Sequence, residues 1–191
     1  MVNQMDFIEN KDTWLSCSRR EVDPRGAGKW MLHTAQPHEL YALLKEQLLA
    51  GKLQEAFSIK TRTELPASGG SVYLHTGPYT DRSKLLRLAE ELREINQTSP
   101  LGLKPPLVFK TDLHNTWCET LTRPGDGYYE LLKRNWLYKY ESGQLVVRAA
   151  VLGLHRMLEN PPENADPEFL IIRSMLPEHM FTGERPVSGK Q

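Results

Sequence analysis

The chain is poor in cysteine and has no excess of charge of either sign. Two cysteines occur among 191 residues, Cys17 and Cys118. They lie far apart and without metal-type spacing, which argues against a disulfide scaffold and against a cysteine-based metal site. Two lone thiols suit a reducing compartment. Lys+Arg and Asp+Glu are both 24, so the formal net charge is zero. Proteins that hold nucleic acid or anionic membrane non-specifically carry surplus cations, so bulk nucleic-acid binding is not expected and any anion site must be local. Long apolar runs are also missing: the longest falls far short of the ~20 residues that span a bilayer. The N-terminus has no basic region followed by an apolar stretch, as a signal peptide would. Internal repeats and low-complexity tracts are absent too. The expectation is a soluble, cytoplasmic protein without membrane association.

What is present is an ordinary globular mixture, 39% hydrophobic and 25% charged, in a length that suits one domain with tails. Residues 1–25 are polar and read as an irregular N-terminal arm, residues 26–175 as a single domain, and residues 176–191 as a flexible tail. Gly28-Lys29-Trp30-Met31-Leu32-His33 reads as a strand with Trp30 and Leu32 on one face and Lys29, Met31 and His33 on the other. Residues 38–50 carry a Leu40, Leu43, Leu44, Leu48 stripe between Pro37 and Gly51, the pattern of a helix with a proline start and a glycine stop. Residues 54–60 read as a second strand, with Ala56 and Ser58 opposite Phe57 and Ile59, and Lys60 on the side of Ser58. After a turn at Ser68-Gly69-Gly70, residues 71–76 form a third strand. A second helix over 81–96 starts on Thr80 as cap and presents Leu85, Leu86, Leu88, Leu92 and Ile95. A loop through Pro100, Gly102, Pro105 and Pro106 leads to a fourth strand over 107–112. The order β-α-β-β-α-β favours an α+β domain with a mainly antiparallel sheet and helices on one face.

Beyond Asp112 two patterns compete. Pro124-Gly125-Asp126-Gly127 marks a loop. Residues 136–140 and 144–148, flanking Glu141-Ser142-Gly143, fit a hairpin. Leu145, Ala149, Leu152 and Met157 instead keep roughly helical spacing, which favours a helix over 144–158. Trp30 and Trp136 both sit in apolar settings that suit core packing.

Several short motifs fall in a recognisable order: Gly28-Lys29-Trp30-Met31-Leu32-His33, Gly51-Lys52-Leu53, Tyr73 through Tyr79-Thr80-Asp81-Arg82, Phe109-Lys110-Thr111-Asp112, and Asn135-Trp136. Across residues 26–138 the chain thus resembles the basophilic-leukemia-expressed protein family, which implies a curved sheet like that of the messenger-RNA cap-binding initiation factor. The resemblance implies no activity. A fainter likeness runs to the phosphothreonine lyases, which eliminate phosphate from a phosphorylated side chain. Lys29-Trp30 is similar to the start of their Lys-aromatic-His strand, and Lys60 falls where their base lysine would be. Met31 stands in the place of their general-acid histidine, with His33 two residues further along the same face, about 7 Å away.

Lys29, Lys60 and Lys110 lie on three separate strands. Converging on one face they would make an anion pocket; as solvated lysines of an open face they would do nothing. The lyase likeness implies Lys60 as base and Lys29 as ligand to phosphate or carbonyl, with Arg82 or Arg134 holding the leaving phosphate and His33 or His75 protonating the bridging oxygen. His75 alone is more often a hydrogen-bonded structural residue. Asp112, at a strand end, suits a ligand-binding position or a cap for the following turn. Asp112, His114 and Cys118 lack ligand spacing, so no metal or other cofactor is expected. The likeness to the cap-binding fold implies a rival, a base stacked on tryptophan, for which Trp117 is the candidate platform. The expected partner is a phosphorylated peptide or protein, or else a nucleotide or RNA end.

Overall fold

The computed structural model describes residues 7–65, 69–98, 106–121 and 135–182. Eight strands form one sheet: β1 (Phe7–Asn10), β2 (Trp14–Arg19), β3 (Gly28–Thr34), β4 (Ser58–Arg62), β5 (Gly70–Thr76), β6 (Leu107–Thr111), β7 (Tyr138–Glu141) and β8 (Gln144–Val147). Their order is β1-β2-β4-β5-β3-β6-β7-β8, and every pairing is antiparallel. Among the described residues the helices are α1 (Pro37–Leu49), α2 (Arg82–Thr98), α3 (Asp112–Leu121), α4 (Ala149–Glu159) and α5 (Pro167–Met175). No described helix is long and apolar enough to cross a membrane. The α+β architecture expected from the alternation of patterns is the one observed.

The alternation of β3 sorts its two faces as expected. Trp30 and Leu32 are fully buried and join Ile59, Val72, Leu74 and Phe109 from the neighbouring strands in the main core. Helix α1 adds Leu40, Leu44 and Leu48, and α2 adds Leu85, Leu88 and Leu92. Each helix thus lays one apolar stripe on the same face of the sheet. Helix α1 ends as Gly51 predicts: that residue takes φ 74°, its N–H donates to Leu48 O, and the N–H of Lys52 donates to Gln47 O. This is a glycine-terminated helix end in which a left-handed residue satisfies the last carbonyls. Gly28 lets β6 come close, because a Cβ there would sit 2.5 Å from both Lys110 O and the Phe109 ring.

Five expectations are corrected. The N-terminal segment is not irregular over residues 7–19, because β1 and β2 form an antiparallel hairpin that extends the sheet beyond β4. Phe7, Leu15 and Cys17 supply its few inward apolar positions, which is why the segment reads as polar. The second strand begins at Ser58 rather than Gln54. Ala56 packs into the core and Phe57 stacks on His75 at 6.2 Å, reversing the faces expected for that pair. The cap of α2 is Asp81 rather than Thr80, since its carboxylate accepts the N–H of Lys84 at 3.0 Å. Residues 144–147 are the second arm of a hairpin, and the helix starts only at Ala149. The turn decides this: Ser142 and Gly143 have φ 50° and 79°, the two positive values of a tight two-residue hairpin loop. Lastly, Leu176 and Phe181 are buried in a second core with Leu113, Trp117 and Leu158, so residues 176–182 pack against the domain.

Candidate functional site

The register of the sheet arranges its other face in rows, since directly paired residues point to the same side. One row runs Ser18, Ser58, His75, Lys29, Lys110 across β2, β4, β5, β3 and β6. The next holds Ser16, Lys60, Tyr73, Met31, Val108 and Lys139. Trp14 pairs with Arg62 beyond it, and His33 with Ser71. Cations and hydroxyls therefore dominate one sheet face, and the apolar core lies behind it.

Register sets Lys29 beside His75, with Lys60 in the next row. Lys29 Nζ lies 3.4 Å from Asp112 Oδ1, at the first turn of α3, and 5.8 Å from the centre of the Tyr73 ring. Lys60 Nζ stands 5.2 Å from the centre of the Trp14 ring, and the Arg62 guanidinium is 5.4 Å from the same ring. Trp14 in turn packs edge-on against Tyr73 at 5.9 Å. Ser18 and Ser58 share a hydroxyl–hydroxyl hydrogen bond of 2.7 Å.

Lys29, Lys60 and His75 also act on one another electrostatically. Burial, with the like charge of Lys29, pushes the Lys60 ammonium below its ordinary pKa, and Asp112 opposes the shift. His75 is only 7% exposed. Burial, then Lys60, then Lys29 drive its pKa down to about 3, so its ring is neutral at physiological pH. Its Nδ1 has no hydrogen-bond partner among the described residues. A buried polar atom in that state is uncompensated.

The other expected residues divide. Lys110 sits directly opposite Lys29 in the same row and is largely buried. His33 shares the face but lies four residues from Lys29, about 13 Å along the strand, where its Nδ1 meets Ser71 Oγ at 2.7 Å. Arg82 is elsewhere: its guanidinium lies over Tyr138, the register partner of core residue Phe109, and donates to Leu145 O at 3.2 Å. It therefore belongs to the helix-covered side. Trp117 is no stacking platform, being buried in the second core and packed on Phe169 at 5.6 Å. Trp136 is half-buried beneath the Arg148 guanidinium rather than in the core. Arg134 lies outside the described residues.

Comparison with known proteins adds nothing to this. No family model, curated protein or solved structure matches the chain.

Trp14, Tyr73, Arg62 and the Ser18–Ser58 pair are the members that sequence reading missed. The signal for Trp14 was available. Trp14, Ser16 and Ser18 alternate with Leu15 and Cys17, a period of two hidden by the small, polar residues between. Among the described residues, no group of three or more His, Cys, Asp or Glu side chains is placed to hold a metal. A second histidine, buried behind β6, is closed off. The N–H of His114 donates to Thr111 Oγ1 at 3.0 Å, and the Thr111 hydroxyl donates to His155 Nε2 at 2.5 Å. His155 Nδ1 then donates to Val151 O at 2.7 Å. This chain satisfies a neutral imidazole, in keeping with a pKa that burial lowers.

Proposed function

We propose that this protein recognises a phosphorylated serine or threonine side chain on the sheet face opposite the main core, at Lys29, Lys60 and His75. The observation that carries the reading is the grouping of two lysines on one face with a buried histidine whose Nδ1 has no hydrogen-bond partner among the described residues. A phosphate dianion there would meet two ammonium groups and the hydroxyls of the Ser18–Ser58 row, in a setting drier than bulk water. The likeness of Lys29-Trp30 and Lys60 to the phosphothreonine-lyase pattern supports the same ligand.

The lowered pKa of Lys60 also suits a base. In a β-elimination its neutral amine would take the proton from the α-carbon of the phosphorylated residue. That electron pair would form the α–β double bond while the bond from the β-carbon to oxygen breaks and phosphate leaves. His75 is poorly suited to be the acid of such a step, because burial, the largest cause, and the Lys29 charge hold its ring neutral. Elimination on this frame therefore proceeds without a histidine acid, and recognition is the better supported part of the reading.

A second reading, a nucleotide or RNA end, is favoured by Trp14, whose ring lies on the same face beside Lys60 and Tyr73. One experiment separates the two. The protein is incubated with phosphothreonine and phosphoserine peptides, and bound peptide and peptide mass are both measured. Retention that Lys29→Ala or Lys60→Ala abolishes supports recognition, and loss of phosphoric acid mass that Lys60→Ala prevents adds elimination. Absence of both, with nucleotide-dependent quenching of tryptophan fluorescence lost in Trp14→Ala, would replace the first reading with the second.

A further inference from the structure

Arg82 leaves the lysine face but does not stand alone on the other side. A cavity of about 450 Å³ opens there between the start of α2, the β7–β8 hairpin and α4. That size falls within the ~300–1,000 Å³ usual for small-molecule sites. Arg82 enters from α2 and Arg156 from α4, while Tyr138, Val147 and Leu152 give a largely apolar wall.

The charges in this cavity do not cancel. Glu159 is its carboxylate, one turn from Arg156 on the same helix. Its Oε1 is already engaged by the Tyr79 hydroxyl at 3.1 Å, the Thr182 N–H at 2.8 Å and the Thr182 hydroxyl at 2.9 Å. Neither Arg82 nor Arg156 takes part in an ion pair among the described residues. Both act on one point, because the field of each favours the ionised form of the Tyr138 hydroxyl against its burial. Two guanidinium groups and one carboxylate leave the lining with one net positive charge.

We infer that this cavity is a second ligand site, separate from the lysine-bearing sheet face, which takes a small amphipathic monocarboxylate. The carboxylate lies against Arg156 and Arg82, whose planar donor forks match its two oxygens. The apolar body lies on Tyr138, Val147 and Leu152. One net positive charge suits a monoanion better than a phosphomonoester dianion. Arg82 holds its place through Leu145 O and the Tyr138 ring, whereas Arg156 is exposed and is the adaptable half of the clamp.

The test uses the full chain with benzoate and octanoate as probes, followed by ligand-observed NMR and by titration to a Kd. Binding is expected at millimolar concentration or tighter, with Kd at least tenfold weaker in both Arg156→Glu and Arg156→Gln and unchanged in Lys60→Ala. Circular dichroism of the Arg156 variants checks that they remain folded, and an exposed side chain with no hydrogen bond among the described residues gives no reason for them to unfold. No binding of either probe to the wild-type chain overturns the inference. So does binding that survives Arg156→Glu, or that Lys60→Ala also removes. A preference for phenyl phosphate over benzoate would overturn the ligand class.

Discussion

Replacing His75 by glutamine should remove a specific part of the acid sensitivity of this fold. The ring is 7% exposed and its pKa in the folded chain is about 3, against an ordinary value near 6.5. Between those two values the unfolded chain binds a proton that the native chain refuses. Stability therefore falls as pH drops through that window, by about 1.4 kcal/mol per pH unit from this residue. From pH 7 to pH 5 the loss comes to about 2 kcal/mol, because the unfolded histidine is only beginning to protonate at the upper end. His155 is displaced in the same direction by burial, but it is present in both proteins, as are the carboxylates. Urea unfolding of wild type and His75→Gln at pH 7 and pH 5 gives the difference of differences, in which those shared terms cancel. The wild type should lose about 2 kcal/mol more than the variant. Lys29→Ala and Lys60→Ala should recover only part of this, since burial is the largest cause and the lysines follow. Equal losses in wild type and His75→Gln, or a His75 ring that titrates near its ordinary value by NMR, would refute the electrostatic account of the cluster.

Two further outcomes follow from the same geometry. Asp112→Asn removes the carboxylate that competes for Lys29. Phosphopeptide retention should therefore tighten severalfold, within the roughly 0.2–1 kcal/mol typical of a partly exposed pair; weaker retention would make Asp112 a support for Lys29 rather than a competitor. Trp117→Ala, in the second core, should cost about 3–5 kcal/mol in thermal unfolding. Trp14→Ala, half-buried among cations on the lysine-bearing face, should cost about 1 kcal/mol, and the reverse ranking would contradict their placement.

The helices and central strands were legible because each carries its own period. Leu40, Leu44 and Leu48 repeat at helical spacing and Trp30 and Leu32 at strand spacing, and both sets are buried as those periods require. The hairpin after residue 136 was legible only in part. Leu145 and Leu152 satisfy a helical spacing by coincidence, and the chain turns at Ser142 and Gly143 because positive φ at two successive residues suits a tight hairpin. At the N-terminus the opposite error arose. A strand that fills its inward positions with Leu15 and Cys17 has too little apolar weight to stand out until the β4 edge is there to pair with it.

The candidate site divides along the same line. Residue order alone settled which way Lys29 points, since a strand whose Trp30 and Leu32 must be buried can present Lys29 only on the other side. Alternation likewise opposed Lys60 to Ile59. Tertiary structure decided the rest, because register and strand order are properties of pairs. Pairing set His75 beside Lys29, with Phe57 over its ring, and that burial is what makes it neutral. Pairing also brought Trp14 to Lys60 from 46 residues away. It moved Arg82 to the far side of the sheet, where Arg156 meets it across one cavity. A side chain's face is a local consequence of backbone period, but its neighbours and its dielectric surroundings exist only once distant segments have packed.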